Sequence, residues 1–263
     1  MEPNNPNFSI VVTLTRSPNR VVDILASLQA QTYRDFEVVL VNVRDSFVEL
    51  LFGEIYFPLI YIKMPHRSGL SDARNAGLKI SRGRYICFLR DDGVFFPNHL
   101  QVLAEGLKKQ PEAVVYTDAA YIGKHLQAGG LIEFTRSRAV EDGLLEYNNI
   151  LVRNYISSSA WAFPRAAIAR VGWFDSKLRA LEDWDMLLRL ARIYPVIAEN
   201  IVTVEISEEI EFGQDIYSLW KLRQRKLAPV YKQIYALYPV SKDSHVQEMR
   251  NKFLTEVIGV EGL

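Results

Sequence analysis

Two carboxylates, Asp91 and Asp92, follow directly on the apolar run Tyr85-Ile86-Cys87-Phe88-Leu89, separated from it only by Arg90. Adjacent negative charges repel each other unless a cation or hydrogen-bond donors compensate them. A divalent ion on a nucleoside diphosphate is one such compensation, because magnesium and manganese favour one or two carboxylates plus phosphate oxygens. The competing reading is a polar turn, where Asp and Gly are common for backbone reasons. A second acidic group, Glu182-Asp183-Trp184-Asp185, opens a helical stretch. Acids in a first turn are stabilised by the helix macrodipole whatever else they do. The chemical reading makes one of them a base for an acceptor hydroxyl. Glu182 and Trp184 then stand on the acceptor side, where an aromatic face packs on sugar C–H groups. A third constellation runs from Gly69 to Gly77 and carries Arg74. Its guanidinium fork suits a base or a phosphate, and the alternative is an ordinary amphipathic helix with an outward arginine.

Other chemistries lack their residues. The chain has no G-x-G-x-x-G after its first apolar run, no phosphate loop of the G-x-x-x-x-G-K-[ST] type and no G-x-S-x-G elbow. The four histidines show no H-x-x-x-H spacing, so no histidine metal site is expected. One cysteine excludes an internal disulfide and a cysteine-rich zinc site, and it suits a reducing compartment. With 31 basic and 31 acidic residues the formal net charge is zero, which argues for no nucleic-acid partner. No apolar run approaches the ~20 residues of a membrane span. The polar start Met1-Glu2-Pro3-Asn4 lacks a basic region and is not read as a signal peptide. The expected location is the cytoplasm, with peripheral contact at the inner membrane face as its variant.

The elements that must position these groups alternate. Residues 8–14, 36–41, 59–63, 85–89 and 113–116 are short, nearly continuous apolar runs. They read as strands buried on both faces, as in a parallel sheet. Helical periodicity marks residues 21–28, 69–81 and 97–109, with Ser17-Pro18 as an N-cap and first helical position and Gly83 as a C′ glycine. This alternation over residues 8–118 implies right-handed crossovers and a mostly parallel sheet with helices on both faces. Ligands bind such sheets beyond the carboxyl ends of the strands. That directs attention to Thr13 and Arg16, to Asn42 and Asp45, and to Asp91 and Asp92.

The second half is less regular. Residues 115–122 and 131–134 flank Gly129-Gly130 as an antiparallel excursion. Residues 164–171 and 182–193 read as helices and 195–204 as a strand. From Gly213 the chain reads as helical. There Lys221, Arg223, Arg225, Lys226 and Lys232 are interleaved with apolar and aromatic positions. Three readings of that segment are open: a membrane-surface helix, a homodimer contact, or a helix packed on its own domain.

Taken in order, these segments resemble the inverting glycosyltransferases of family 2. The resemblance rests on Ser27-Leu28-Gln29-Ala30-Gln31-Thr32-Tyr33, Phe36-Glu37-Val38-Val39-Leu40-Val41, Gly69-Leu70-Ser71-Asp72-Ala73-Arg74-Asn75-Ala76-Gly77 and Tyr85-Ile86-Cys87-Phe88-Leu89-Arg90-Asp91-Asp92. It continues through Gly172-Trp173-Phe174-Asp175 and Glu182-Asp183-Trp184-Asp185. It implies an α/β GT-A fold, Rossmann-like, with a helical C-terminal extension. Residues 1–118 would form the donor-binding half, 119–210 the acceptor and catalytic half, and 211–263 the extension. It also implies a hexosyltransferase-like enzyme of polysaccharide biosynthesis. The donor would be a UDP-, GDP- or TDP-linked sugar and the acceptor a saccharide or lipid-linked hydroxyl. The resemblance assigns the catalytic base to Asp183, a manganese or magnesium ion to Asp92, and donor contacts to Thr13, Arg16, Asn42, Asp45, Arg74 and Asp91. Three positions depart from the family pattern. Arg90 stands where the first acid of D-x-D is usual, Asn42-Val43 where two acids follow the second strand, and Thr13-Leu14-Thr15-Arg16 where P-T-Y-N is usual. These departures motivate a second expectation, a catalytically silent nucleotide-sugar binder or scaffold of the same fold.

Overall fold

Runs of β-branched and aromatic residues form the centre of a nine-stranded sheet in the computed structural model, which describes residues 5–15, 20–44, 47–65, 68–126, 132–138, 147–210, 216–240 and 243–259. Strands β1 (Phe8–Leu14), β2 (Phe36–Asn42), β3 (Leu59–Lys63) and β4 (Tyr85–Arg90) are mutually parallel in the order β3-β2-β1-β4. All seven residues of β1 and of β2 are buried, as expected of strands covered on both faces. Side chains alternate between the two faces. Ile10, Val12 and Leu14 join one apolar cluster, whereas Val11 joins the other with Val39 and Val41.

Beyond β4 the sheet is mixed. The order continues through β8 (Trp161–Pro164), β6 (Val114–Leu126), β9 (Val196–Ile210) and β5 (Gly93–Phe95), with β7 (Ile132–Arg138) antiparallel on β6. The β6–β7 pairing is the antiparallel excursion expected from the sequence. Strand β8 lies antiparallel to both β4 and β6, β5 is antiparallel to β9, and β6 and β9 are parallel. The mostly parallel expectation thus holds for the first half only. Strands β5 and β8 have three and four residues, too few to leave a period-two signature. The alternation also breaks between β2 and β3, where the described residues hold a 3-10 turn, Val48–Leu51, in place of a crossover helix.

The helices are α1 (Val21–Gln29), α2 (Leu70–Ile80), α3 (His99–Lys109), α4 (Tyr147–Ile150), α5 (Ile168–Val171), α6 (Glu182–Ala191), α7 (Ile216–Lys226), α8 (Ala228–Leu237) and α9 (Ser244–Phe253). Helices α1 and α3 cover one face through Val21, Ile24, Leu25, Leu28, Leu100, Leu103 and Leu107. Helices α2, α6 and α8 contribute Ala73, Leu78, Trp184, Leu187, Tyr231 and Ile234 to the cluster on the other. Helix α2 reaches its strand because Gly77 has no side chain. A Cβ there would lie 2.3 Å from Cγ1 of Val11. Gly83 is not the left-handed C′ residue expected; a Cβ there would lie 2.3 Å from the Ser9 backbone nitrogen, so close approach is its function. Ser81 closes the helix instead, donating its N–H and its hydroxyl to the Gly77 carbonyl. The Ser17-Pro18 cap lies outside the described residues.

The C-terminal helices pack on their own domain. Tyr231 and Tyr235 stand against Trp184 with ring centroids 5.2 and 6.1 Å away. The Tyr238 hydroxyl donates to Asp185 Oδ1 at 2.6 Å, and the Tyr235 hydroxyl donates to the Val152 carbonyl. Among the described residues no helix is long and apolar enough to cross a membrane.

Candidate active site

The strand exits meet at the end of β4. Arg90 is its last residue and lies beside Thr13 of β1 in the parallel register. The chain then turns through Asp91 and Asp92 into β5. Asp91 is buried and accepts the Thr15 N–H at 2.7 Å and the Thr15 hydroxyl at 3.3 Å, so it holds the exit of β1. Asp92 is held from two sides. Its carbonyl accepts the Ser207 N–H at 2.8 Å, and its Oδ2 accepts Nη2 of Arg90 at 2.6 Å.

Helix α6 delivers the second acidic group. Leu181, just before it, has φ 58° and ψ 23° and is the only non-glycine residue with positive φ among the described residues. Left-handed backbone costs an L-residue roughly 1–2 kcal/mol, and such strain collects at functional sites. Glu182 follows and pairs with Arg74, Oε1 to Nη1 at 2.5 Å. Asp183 Oδ1 accepts the Asn154 side-chain amide at 3.1 Å and the Trp184 N–H at 2.8 Å, which fixes the carboxylate at the helix start. Asp185 serves the scaffold, accepting both Nε and Nη2 of Arg189 and the Tyr238 hydroxyl.

Electrostatics join the two groups. Burial pulls the Arg90 pKa down. The charges of Asp92, Asp183, Glu182 and Asp91, in that order, outweigh it and hold the guanidinium above the usual arginine range. All four carboxylates therefore converge on one cation. Burial pushes the Glu182 carboxyl above its usual range; Arg74 opposes this and the Asp183 charge adds to it.

The remaining expected residues fall out unevenly. Arg16 and Asp45 lie outside the described residues. Thr13, next to last in β1, and Asn42, the last residue of β2, are fully or almost fully buried. Asn42 accepts the Arg44 N–H at 2.9 Å and donates to the Tyr61 hydroxyl at 3.1 Å. Arg74 is fully buried between the rings of Phe88 and Phe174, 5.3 and 5.2 Å from their centroids, and donates to Ser158 as well as Glu182. It braces α6 and has no path outward to a nucleotide, because both of its terminal nitrogens are taken. Glu182 is correspondingly a scaffold partner in place of an acceptor contact. Trp184 is fully buried and donates its indole N–H to the Ile150 carbonyl at 2.7 Å, so it offers a sugar no exposed face. The α2 segment is stitched to the Gly172-Trp173-Phe174-Asp175 turn by reciprocal bonds between Asn75 and Phe174 and by the Ser71 hydroxyl on the Asp175 carbonyl. Asn154, Ser158 and Ser159 complete the site, and sequence reasoning missed them. They lie in a segment, Asn154-Tyr155-Ile156-Ser157-Ser158-Ser159, without periodicity or a charged group, so nothing local marks them.

A divalent cation does not fit these side chains as they stand. The Asp92 carboxylate is engaged by Arg90, Asp91 by Thr15 and Glu182 by Arg74. Among the described residues no three His, Cys, Asp or Glu side chains gather as a metal-binding group.

Comparison with known proteins decides the family. The sequence model described as Glycosyl transferase family 2 matches residues 9–168. The chain belongs to this family. Family 2 relatives include an uncharacterized glycosyltransferase, YwdF, of Bacillus subtilis, 28% identical over 190 residues that cover 71% of this chain and 68% of the relative. Another, from Haemophilus influenzae, is 27% identical over 185 residues, 70% of this chain and 61% of the relative. A PGL/p-HBAD biosynthesis glycosyltransferase of Mycobacterium bovis is 25% identical over 214 residues, 79% of this chain and 78% of the relative. Among solved structures, residues 1-349 of S. aureus TarS in complex with UDP-GlcNAc superpose with a TM-score of 0.63 at 16% identity, covering 97% of this chain and 73% of that one. That likeness establishes the GT-A fold for this family 2 chain, which spans 44% of the longer TarS structure.

Proposed function

We propose that this family 2 protein transfers a sugar from a nucleoside diphosphate to an acceptor hydroxyl by one inverting displacement. The acceptor O–H gives its proton to Asp183. Its oxygen bonds to the anomeric carbon, and the bond from that carbon to the diphosphate oxygen breaks, the nucleoside diphosphate leaving with the electron pair. The observation that carries this reading is the placement of Asp183. Asn154 and the α6 amide fix it, and it lies within electrostatic reach of the β4 exit where the donor belongs. TarS structures that hold UDP-GlcNAc and UDP support a UDP-sugar as the donor. The acceptor class is a saccharide or lipid-linked hydroxyl in polysaccharide biosynthesis on the cytoplasmic side. Asp183→Asn is expected to lower kcat by about 100-fold or more, the usual contribution of a general base, with UDP affinity retained. Full transfer by that variant would refute the assignment.

One observation favours the second reading, a silent nucleotide-sugar binder: Arg90 occupies an acidic position of the family motif and ties up Asp92. Binding of a nucleotide sugar by the native chain, with no turnover against a panel of acceptors, would select it.

A further inference from the structure

We propose that Arg90 supplies the positive charge for the donor diphosphate, so that this protein binds its donor without a divalent cation. The inference rests on the transferase reading and adds to it. Arg90 ends β4, the strand where the parallel half meets the mixed half, beside Thr13, at the carboxyl end of the strands where α/β folds receive ligands. Its side chain is 27% exposed, whereas the Asp92 side chain is 8% exposed. The arginine side chain therefore has more access to solvent than the carboxylate side chain. Asp92 engages one terminal nitrogen, Nη2. A guanidinium has five donors in a planar fork that matches two phosphate oxygens, so a donor diphosphate can be bound without breaking the Asp92 pair.

Asp92 then acts on the arginine. It orients the fork, and with Asp183, Glu182 and Asp91 it keeps the group charged. A cation placed on Asp92 would have to displace Arg90 or sit against it, positive charge on positive charge. The nearby carboxylates do not offer an easy substitute, since Asp91 braces Thr15 and Glu182 braces Arg74.

The test is calorimetric titration of the full chain with UDP, GDP, CDP and TDP, in EDTA and in manganese. The native chain is expected to bind one of the four with a Kd that differs by less than about twofold between the two conditions. Arg90→Lys keeps the charge and loses the fork. It is expected to weaken binding by about tenfold or more in both conditions, the scale of a lost charged hydrogen bond. Arg90→Asp restores an acid and is expected to bind only when manganese is present. Thermal unfolding of each variant confirms that it folds, and the native titration needs no variant. A native chain that binds in manganese and fails in EDTA overturns the role of Arg90 and leaves the transferase reading standing. A native chain that binds none of the four in either condition overturns both.

Discussion

Removing either member of the Arg74–Glu182 pair strands a charge in the interior, since their side chains are 0% and 7% exposed. Breaking a buried pair from one side costs about 3–5 kcal/mol, whereas replacing both by apolar groups is often close to neutral. Arg74→Met alone is therefore expected to lower unfolding stability by about that amount, and Arg74→Met with Glu182→Leu to recover most of it; urea titration of the three proteins measures both. His99 makes a second residue-scale prediction. It is fully buried, stacks on Phe95 and bonds Thr203 through Nδ1 at 2.7 Å. Burial lowers its pKa from 6.5 to about 3. The unfolded chain therefore takes up a proton below about pH 6.5 that the native state refuses. Stability must fall with pH across that window, by about 1.4 kcal/mol per unit at most. His99→Gln is expected to flatten this slope between pH 6.5 and 4, which denaturation at a series of pH values reads directly. Motif order and spacing single out Asp183 and Asp92 in the sequence, but not the bonds from Asn154 and Arg90 that hold them. The fate of Arg74 is not legible there, because Phe88, Phe174 and Ser158, which enclose it, are far away in the chain and carry no sign of their contact.

Elements read better than their junctions. Long helices and fully buried strands announce themselves by period and by apolar runs, and β1, β2, β4, α2 and α3 formed close to where their residues predict. Strands β5 and β8 are shorter than one period can reveal, and the left-handed Leu181 has a side chain that gives no hint of its backbone. Contact between elements is finer still, and Gly77 tests it. Gly77→Ala gains about 1 kcal/mol of helix propensity. It also drives a Cβ to within 2.3 Å of Val11, and overpacking of a tight core costs typically about 1–3 kcal/mol. The clash is expected to win, with a net loss of up to about 2 kcal/mol in equilibrium unfolding and partial recovery when Val11→Ala is added.

On the scale of the whole molecule the sheet and the tail share one apolar cluster. Tyr231, Ile234, Tyr235 and Tyr238 of the C-terminal segment are buried, and Tyr231 and Tyr235 stand against Trp184 on the helix that carries Asp183. Each large apolar side chain buried contributes about 1.5–3 kcal/mol, so the four together rival the typical total of about 5–15 kcal/mol for a domain. A chain ended after Leu227 is expected to lose its cooperative unfolding transition, as circular dichroism against urea would show. The membrane reading of this segment drew on Lys221, Arg223, Arg225, Lys226 and Lys232 interleaved with apolar positions, and sequence alone could not say which surface those apolar residues meet.

The cover over Trp184 also sets an order of events. Translation releases the parallel strands first, then α6, and only afterwards the tyrosines that hold α6 in place. Domains generally fold as units, so α6 and the Asp183 it carries wait for Tyr231 and Tyr235 before Trp184 is covered. The packing of α6 is thereby timed by the segment from Tyr231 to Phe253. Chains stalled on the ribosome short of Tyr231 are expected to hold α6 loosely, as greater protease access to that helix than in chains carrying Tyr231 to Phe253 would show.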